Sequence, residues 1–128
     1  MRKAILVVDD EPHIGYLVKK VLMRQGYEVA LAFSAREALA ANANEQFDLY
    51  ILDIAMPDMN GFELCKELKN TPAGALVPVI MLTARGDERA KRSALEAGVA
   101  RFVTKPFSPK ALQQHIEEIL ESVSAKEL

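Results

Sequence analysis

The chain is predicted to be α/β, an open parallel sheet with helices packed on both faces. Three observations carry that expectation. Short apolar runs of strand length alternate with amphipathic helical stretches from one end of the 128 residues to the other. The first run, Ala-Ile-Leu-Val-Val at 4 to 8, is apolar at every position, as a strand covered on both sides must be. No repeat, low-complexity tract or Gly/Ser-rich linker interrupts the alternation, so residues 1 to 128 read as one domain.

The first strand stops at Asp9. A helix follows, with Ile14, Leu17, Val18, Val21 and Leu22 at helical spacing and Gly26 where a left-handed terminal residue is wanted. The second strand is expected over 28 to 33. Ser34 with Glu37 three residues later then opens a short, alanine-rich second helix through a capping box. Strand three is Leu49 to Leu52, ending at Asp53, and Ala-Met-Pro-Asp-Met-Asn-Gly at 55 to 61 reads as a loop before a third helix at 62 to 68. Strand four is expected over 77 to 82, ending in Thr83 and Ala84. Helix four runs over 87 to 97, up to Gly98, and strand five is the brief segment 101 to 103. Lys105 and Pro106 follow. Ser108 as N-cap and Pro109 at the first helical position start a fifth helix, whose buried stripe is Leu112, Ile116, Ile119, Leu120 and Val123.

Sixteen Lys and Arg against eighteen Asp and Glu leave a formal charge of −2, which argues against nucleic acid as a direct partner. Half the residues are hydrophobic, which excludes a disordered chain, and no apolar run approaches the ~20 residues of a membrane span. After Met1, Arg2 and Lys3 the apolar run is too short for a signal peptide. The single cysteine, Cys65, forms no internal disulfide, so a cytoplasmic location is expected.

Ligands of open parallel sheets bind outside the carboxyl ends of the strands. Here those ends are polar: Asp9 and Asp10 after strand one, Asp53 after strand three, Thr83 after strand four and Lys105 after strand five. If strands one and three are neighbours, three carboxylates share one crevice. They repel one another unless a cation neutralises them, and an all-oxygen ligand set suits Mg²⁺ better than zinc. Three carboxylates and one Lys sum to −2, Mg²⁺ brings the site to zero, and an arriving phosphoryl group meets no net repulsion. Asp9 and Asp10 alone would read as helix-capping acids. Asp53 overturns that reading, because it ends a strand and no helix starts until after Gly61.

These residues resemble the receiver domains of two-component response regulators, of the chemotaxis-regulator type. The likeness rests on Val-Val-Asp-Asp-Glu at 7 to 11, Leu-Asp-Ile-Ala-Met-Pro-Asp-Met-Asn-Gly at 52 to 61, Leu-Thr-Ala at 82 to 84 and Lys-Pro-Phe at 105 to 107. It implies a flavodoxin-like three-layer sandwich with strand order 2-1-3-4-5. It also implies that Asp53 accepts a phosphoryl group from a phosphohistidine on a sensor histidine kinase or phosphotransfer protein, or from a small phosphodonor. By the same resemblance Asp10, Asp53 and the Ala55 carbonyl hold Mg²⁺, with Asp9 reaching it through water. Thr83, Lys105 and the backbone at Ala55 and Ala84 then hold the phosphoryl oxygens. Thr83 and Phe102 act as the switch, and the readout face is helix four, strand five and helix five, which meets a downstream protein or output domain. A cis peptide before Pro106 is expected from the family.

Some positions depart from the commoner family pattern. In the family the positions of Ala55 and Arg85 flank the path of attacking water, Phe102 lacks the hydroxyl of the more frequent tyrosine, and Arg101 stands where many DNA-binding relatives carry an acidic residue used in dimerisation. His13 and His115 are expected at the surface or boundary without partner carboxylates, Cys65 as a small buried hydrophobe, and Met56 and Met59 as loop-packing residues. Lys19, Lys20 and Arg24 read as a solvated face that could dock a kinase. Two other functions compete. A pseudo-receiver would lack the acceptor or the acidic pair, and neither is missing. An aspartyl-phosphate phosphatase carries a second Asp two residues after the nucleophile, where this chain has Ala55. The expected protein is therefore a phosphoacceptor switch rather than an enzyme, either a stand-alone regulator or the receiver portion of a longer protein.

Overall fold

The computed structural model describes residues 2 to 84 and 86 to 127, with side chains as far as Val123; Arg85 lies outside the described residues. The elements are β1 (Ala4–Val8), α1 (Pro12–Arg24), β2 (Glu28–Ala32), α2 (Ala35–Asn44), β3 (Leu49–Leu52), α3 (Gly61–Lys69), β4 (Val79–Thr83), α4 (Glu88–Glu96), β5 (Arg101–Thr104) and α5 (Pro109–Glu127). All strand pairs are parallel, in the order β2-β1-β3-β4-β5. This is the flavodoxin-like arrangement, and it makes β1 and β3 neighbours.

Alternate residues of the central strands feed two separate cores. Leu6, Val8, Tyr50, Leu52, Val79 and Met81 pack with α2, α3 and α4 residues such as Ala38, Leu64, Leu68 and Ala90. Ile5, Val7, Leu49, Ile51, Ile80 and Leu82 pack on the other face with Val18 and Leu22 of α1 and Leu112, Ile116 and Ile119 of α5. Both faces of β1 and β3 are covered, which is why these strands read as continuous apolar runs.

Helix starts follow the capping chemistry of the sequence. Ser34 Oγ accepts from Glu37 N at 3.1 Å, Asn60 Oδ1 from Glu63 N at 2.9 Å, Asp87 Oδ1 from Ala90 N at 2.7 Å and Ser108 Oγ from Ala111 N at 3.0 Å. Gly26 ends the α1 turn with φ +92°, a backbone that residues with a Cβ rarely adopt.

The limits of some elements differ from the expectation. β4 begins at Val79 rather than 77, because Pro78 has no N–H for the ladder and Val77 N turns back to Gly74 O at 3.2 Å. It extends to Thr83, which pairs with Thr104 at the end of β5. β2 stops at Ala32, since the Phe33 amide is taken by Glu37 Oε1 at 3.2 Å. In α1, Leu17 is exposed at 47%, beside exposed Tyr16 and Met23, so the buried stripe there is narrower than the heptad spacing suggests.

Candidate functional site

The carboxyl ends of β1 and β3 are joined through the backbone: Asp53 N donates to Val8 O at 3.0 Å, while Asp9 N donates to Ala32 O of β2 at 3.1 Å. Both side chains are buried, at 3% exposure for Asp9 and 5% for Asp53. Each carboxylate is held in two directions. Asp9 Oδ1 accepts from Glu11 N at 3.0 Å and Oδ2 from Lys105 Nζ at 2.7 Å. Asp53 Oδ1 accepts from Ile54 N at 2.8 Å, and its Oδ2 lies 3.5 Å from the same ammonium.

Lys105 comes from the loop after β5, whose start is fixed by the bond from Lys105 N to Thr83 O at 2.7 Å. The Lys105–Pro106 peptide is cis, as expected. Burial alone would lower the lysine's pKa, but the hydrogen bond and charge of Asp9, aided by Asp53 and Glu11, prevail and raise it. Burial pushes the Asp53 carboxyl above the ordinary range. Lys105 opposes the shift, the Asp9 charge adds to it, and the Ile54 amide opposes it again. Thr83 is buried at the end of β4, Ala84 is the exposed residue after it, and Phe102 of β5 is half-buried against the α2–α4 core.

Asp9, Asp10, Glu11 and Asp53 each offer an oxygen, and these oxygens all lie within 4.8 Å of one another. The set is carboxylate only, two members are buried and two exposed, so a hard divalent cation fits it, with solvent on its open side. Glu11 was not singled out from the sequence. It occupies the N-cap position of α1, yet its side chain makes no capping bond, which leaves the carboxylate at the crevice. The signal was present in the unbroken acidic run of residues 9 to 11.

Asp58, in the loop between β3 and α3, is the second residue that sequence reasoning passed over. Its Oδ1 accepts from Ala35 N at 3.1 Å and its Oδ2 from Arg36 N at 3.0 Å, and these bonds, Arg36 N first, lower its pKa. Gly61 closes the same loop. Its amide donates to Ile54 O at 2.8 Å, and a Cβ there would sit 2.1 Å from the Asp53 carbonyl oxygen.

The remaining residues fall as follows. Met56 and Met59 pack against the core. Cys65 is fully buried, its thiol directed to Ala97 O at 3.4 Å and raised in pKa by burial. His13 has a carboxylate neighbour, contrary to expectation, while His115 sits at the boundary, as expected, and meets a guanidinium. Exposed His13 lies 3.7 Å from Glu11 two residues before it, and the half-buried His115 meets Arg101 Nη1 at 2.9 Å across β5 and α5. Arg101 also pairs with Glu118 at 2.8 Å.

Comparison with known proteins agrees with this fold. A family model described as the response regulator receiver domain matches residues 5–117. The alkaline phosphatase synthesis transcriptional regulatory protein PhoP of Bacillus subtilis (strain 168) is 41% identical over 94% of this chain and 49% of its own length. The chain thus spans about half the length of the curated relatives it matches. Among solved structures, a CheY-like response regulator receiver domain protein of Methanospirillum hungatei JF-1 superposes with a TM-score of 0.92 at 35% identity, covering 98% of this chain and 99% of that one. The chemotaxis protein CheY4 of Vibrio cholerae does so with a TM-score of 0.89 at 33% identity, covering 92% and 98%.

Proposed function

This chain belongs to the response regulator receiver domain family, and on that footing we propose that it is a phosphorylatable signalling switch whose acceptor is Asp53. The observation that carries this reading is the shared grip of one largely buried ammonium, Lys105, on Asp9 and Asp53 at the ends of neighbouring strands. The donor is the phosphohistidine of a sensor histidine kinase or phosphotransfer protein, or a small acyl phosphate.

Asp53 Oδ2, the oxygen not held by a backbone amide, is the nucleophile. Its bond to phosphorus forms as the P–N bond of phosphohistidine breaks, and the electron pair leaves with the imidazole nitrogen, which takes up a proton. Phosphoryl transfer asks the protein mainly for alignment and charge neutralisation. Lys105 supplies a fixed positive charge for one phosphoryl oxygen, Thr83 a hydroxyl donor, and the backbone at Ala55 and Ala84 the remaining contacts. Mg²⁺, when bound, supplies the rest of the neutralisation; Asp10, Asp53 and the Ala55 carbonyl would hold it directly and Asp9 through water. Once modified, Asp53 carries its charge further out from β3. Thr83 follows it, Phe102 turns into the vacated space, and the α4, β5 and α5 face changes for a downstream protein or an output domain.

The protein is read as a switch acting on itself, not as an enzyme with external turnover. Ala55, two residues beyond the acceptor, has no acidic group to protonate a leaving alcohol, which counts against a phosphatase. The acceptor and the acidic pair are all present, which counts against a pseudo-receiver. Among the described residues no helix is long and apolar enough to cross a membrane, and we place the domain in the cytoplasm, where its phosphodonors are.

Amide NMR spectra recorded with Mg²⁺ and beryllofluoride test this reading. Shifts are expected at Asp53, Thr83, Phe102 and along α4, absent in Asp53→Asn; an unresponsive parent, or a variant that responds like the parent, refutes it.

A further inference from the structure

Asp58 is acidic, sits five residues beyond the acceptor and yet is not in the acidic cluster, which is formed by Asp9, Asp10, Glu11 and Asp53. Its charge is committed elsewhere. The first amides of a helix lack intrahelical acceptors. In α2 the third, Glu37 N, is taken locally by Ser34. The first two, Ala35 N and Arg36 N, are both taken by Asp58, whose two oxygens reach back across 23 and 22 residues of sequence. A carboxylate at this end also complements the helix dipole.

The consequence concerns the loop more than the helix. Residues 55 to 60 have no regular secondary structure. Their root is fastened where Gly61 N meets Ile54 O, and their apolar side chains Met56 and Met59 lean on the core. Asp58 supplies a polar tether to a second element, halfway between Ala55 and Gly61. Apolar packing is non-directional and leaves a loop free to slide, whereas a two-oxygen bond to two fixed amides sets both position and orientation. The Ala55 carbonyl lies three residues from that anchor.

Resting on the reading of this crevice as a Mg²⁺-dependent phosphoryl acceptor, we propose that Asp58 is a positioning residue for that site. By fastening the loop to the start of α2 it presets the Ala55 carbonyl for the cation, and it couples occupancy of the acceptor site to the α2 N-terminus. Asp58 touches neither cation nor phosphoryl group.

The test compares Asp58→Ala, Asp58→Asn and Ser34→Ala with the parent. Ser34→Ala removes a cap from the same helix without touching the loop, so it reports what merely weakening α2 does. Mg²⁺ is titrated by calorimetry and by amide NMR, and phosphorylation from acetyl phosphate is followed as a function of Mg²⁺ concentration. For Asp58→Ala the Mg²⁺ dissociation constant is expected to rise by about tenfold, the usual scale for residues that support a metal ligand. The half-saturating Mg²⁺ concentration for phosphorylation should rise in parallel, with the plateau rate unchanged. Asp58→Asn, which keeps one acceptor oxygen, should fall between. In the parent, Mg²⁺ should shift the Ala35 and Arg36 amides, and in Asp58→Ala it should not. Ser34→Ala should lower the melting temperature and leave the Mg²⁺ constant alone. If Asp58→Ala binds Mg²⁺ as the parent does, or Ser34→Ala weakens it equally, the inference fails by itself. A parent that binds no Mg²⁺ overturns the functional reading and the inference together.

Discussion

The ammonium of Lys105 lies 2.7 Å from Asp9 Oδ2, closer than its 3.5 Å approach to Asp53, the proposed acceptor. Both members of the Lys105–Asp9 pair are nearly buried, at 12% and 5% side-chain exposure. In the unmodified protein the lysine is therefore bound chiefly to Asp9 and offers its charge to Asp53 secondarily. Under the proposed function, a phosphoryl group arriving on Asp53 would compete for an ammonium that already has a partner.

Removing the lysine should separate its two duties. Lys105→Met leaves Asp9 and Asp53 without their shared cation and should destabilise the metal-free protein by about 3 kcal/mol, the lower end for stripping one partner from a buried pair. Added Mg²⁺ should restore much of that loss, because it replaces the missing charge. Urea titrations with EDTA and with Mg²⁺ measure both. In the parent, the raised lysine pKa adds stability that is complete below the ordinary value of 10.5 and is lost as pH climbs through the folded-state value. Lys105→Met should lack that alkaline limb.

The carboxyl of Asp53 titrates with the same pH slope, but in the acid range and as a penalty on its charged form rather than a gain. Burial raises the Asp53 pKa above 3.8, so between that value and the folded one the native state holds more protons than the unfolded chain. Stability therefore falls as pH rises through this window, and the penalty persists at every higher pH. With EDTA present, Asp53→Asn should melt above the parent near neutral pH, and the difference should close on acidification below 3.8. Melting curves across pH decide it; a variant less stable at neutral pH contradicts the assignment of Asp53 as a desolvated anion.

Gly61 is needed for space, since its φ is not left-handed. An added Cβ meets the Asp53 carbonyl oxygen at 2.1 Å and the Ile54 Cα at 3.0 Å, backbone atoms that cannot rotate away. Gly61→Ala should cost about 2 kcal/mol or more, as overpacking does, and should weaken Mg²⁺ binding because the loop bearing the Ala55 carbonyl must shift. Chemical denaturation and calorimetry test the two effects in one preparation.

What could be read in advance follows from chain-local physics. β1 and β3 are apolar at every position because both faces are covered, and Ser34 and Ser108 sit three residues before the amides they cap; Asn60 and Asp87 cap α3 and α4 at the same spacing, although neither was read as a cap from the sequence. Asp9, Asp53, Thr83 and Lys105 were legible because each ends a strand. Asp58 was not, since its partners are 22 and 23 residues away and nothing in its neighbourhood signals α2. Leu17 misled because helical spacing names a stripe without giving the width of the surface that covers it. Glu11 was hidden behind its position as an N-cap, where an acid is ordinarily explained by the helix.

Transmission through β4 and β5 should be separable from chemistry at β3. Thr83 ends β4 opposite Thr104, and Met81 pairs with Phe102 two residues earlier in the same ladder. Thr83→Ala should still accept phosphoryl groups from acetyl phosphate, but the amide shifts at Phe102 and along α4 that accompany beryllofluoride binding in the parent should collapse. Equal shifts in variant and parent would remove Thr83 from the switch.

The most direct measurement is mass spectrometry of the protein incubated with acetyl phosphate, with and without Mg²⁺, followed by trapping of the acyl phosphate and peptide mapping. The expected result is a single added phosphoryl group that depends on Mg²⁺, maps to Asp53 and is absent from Asp53→Asn. A protein that stays unmodified, or one that gains the same mass when Asp53 is replaced, would contradict the assignment of this crevice as a phosphoryl acceptor.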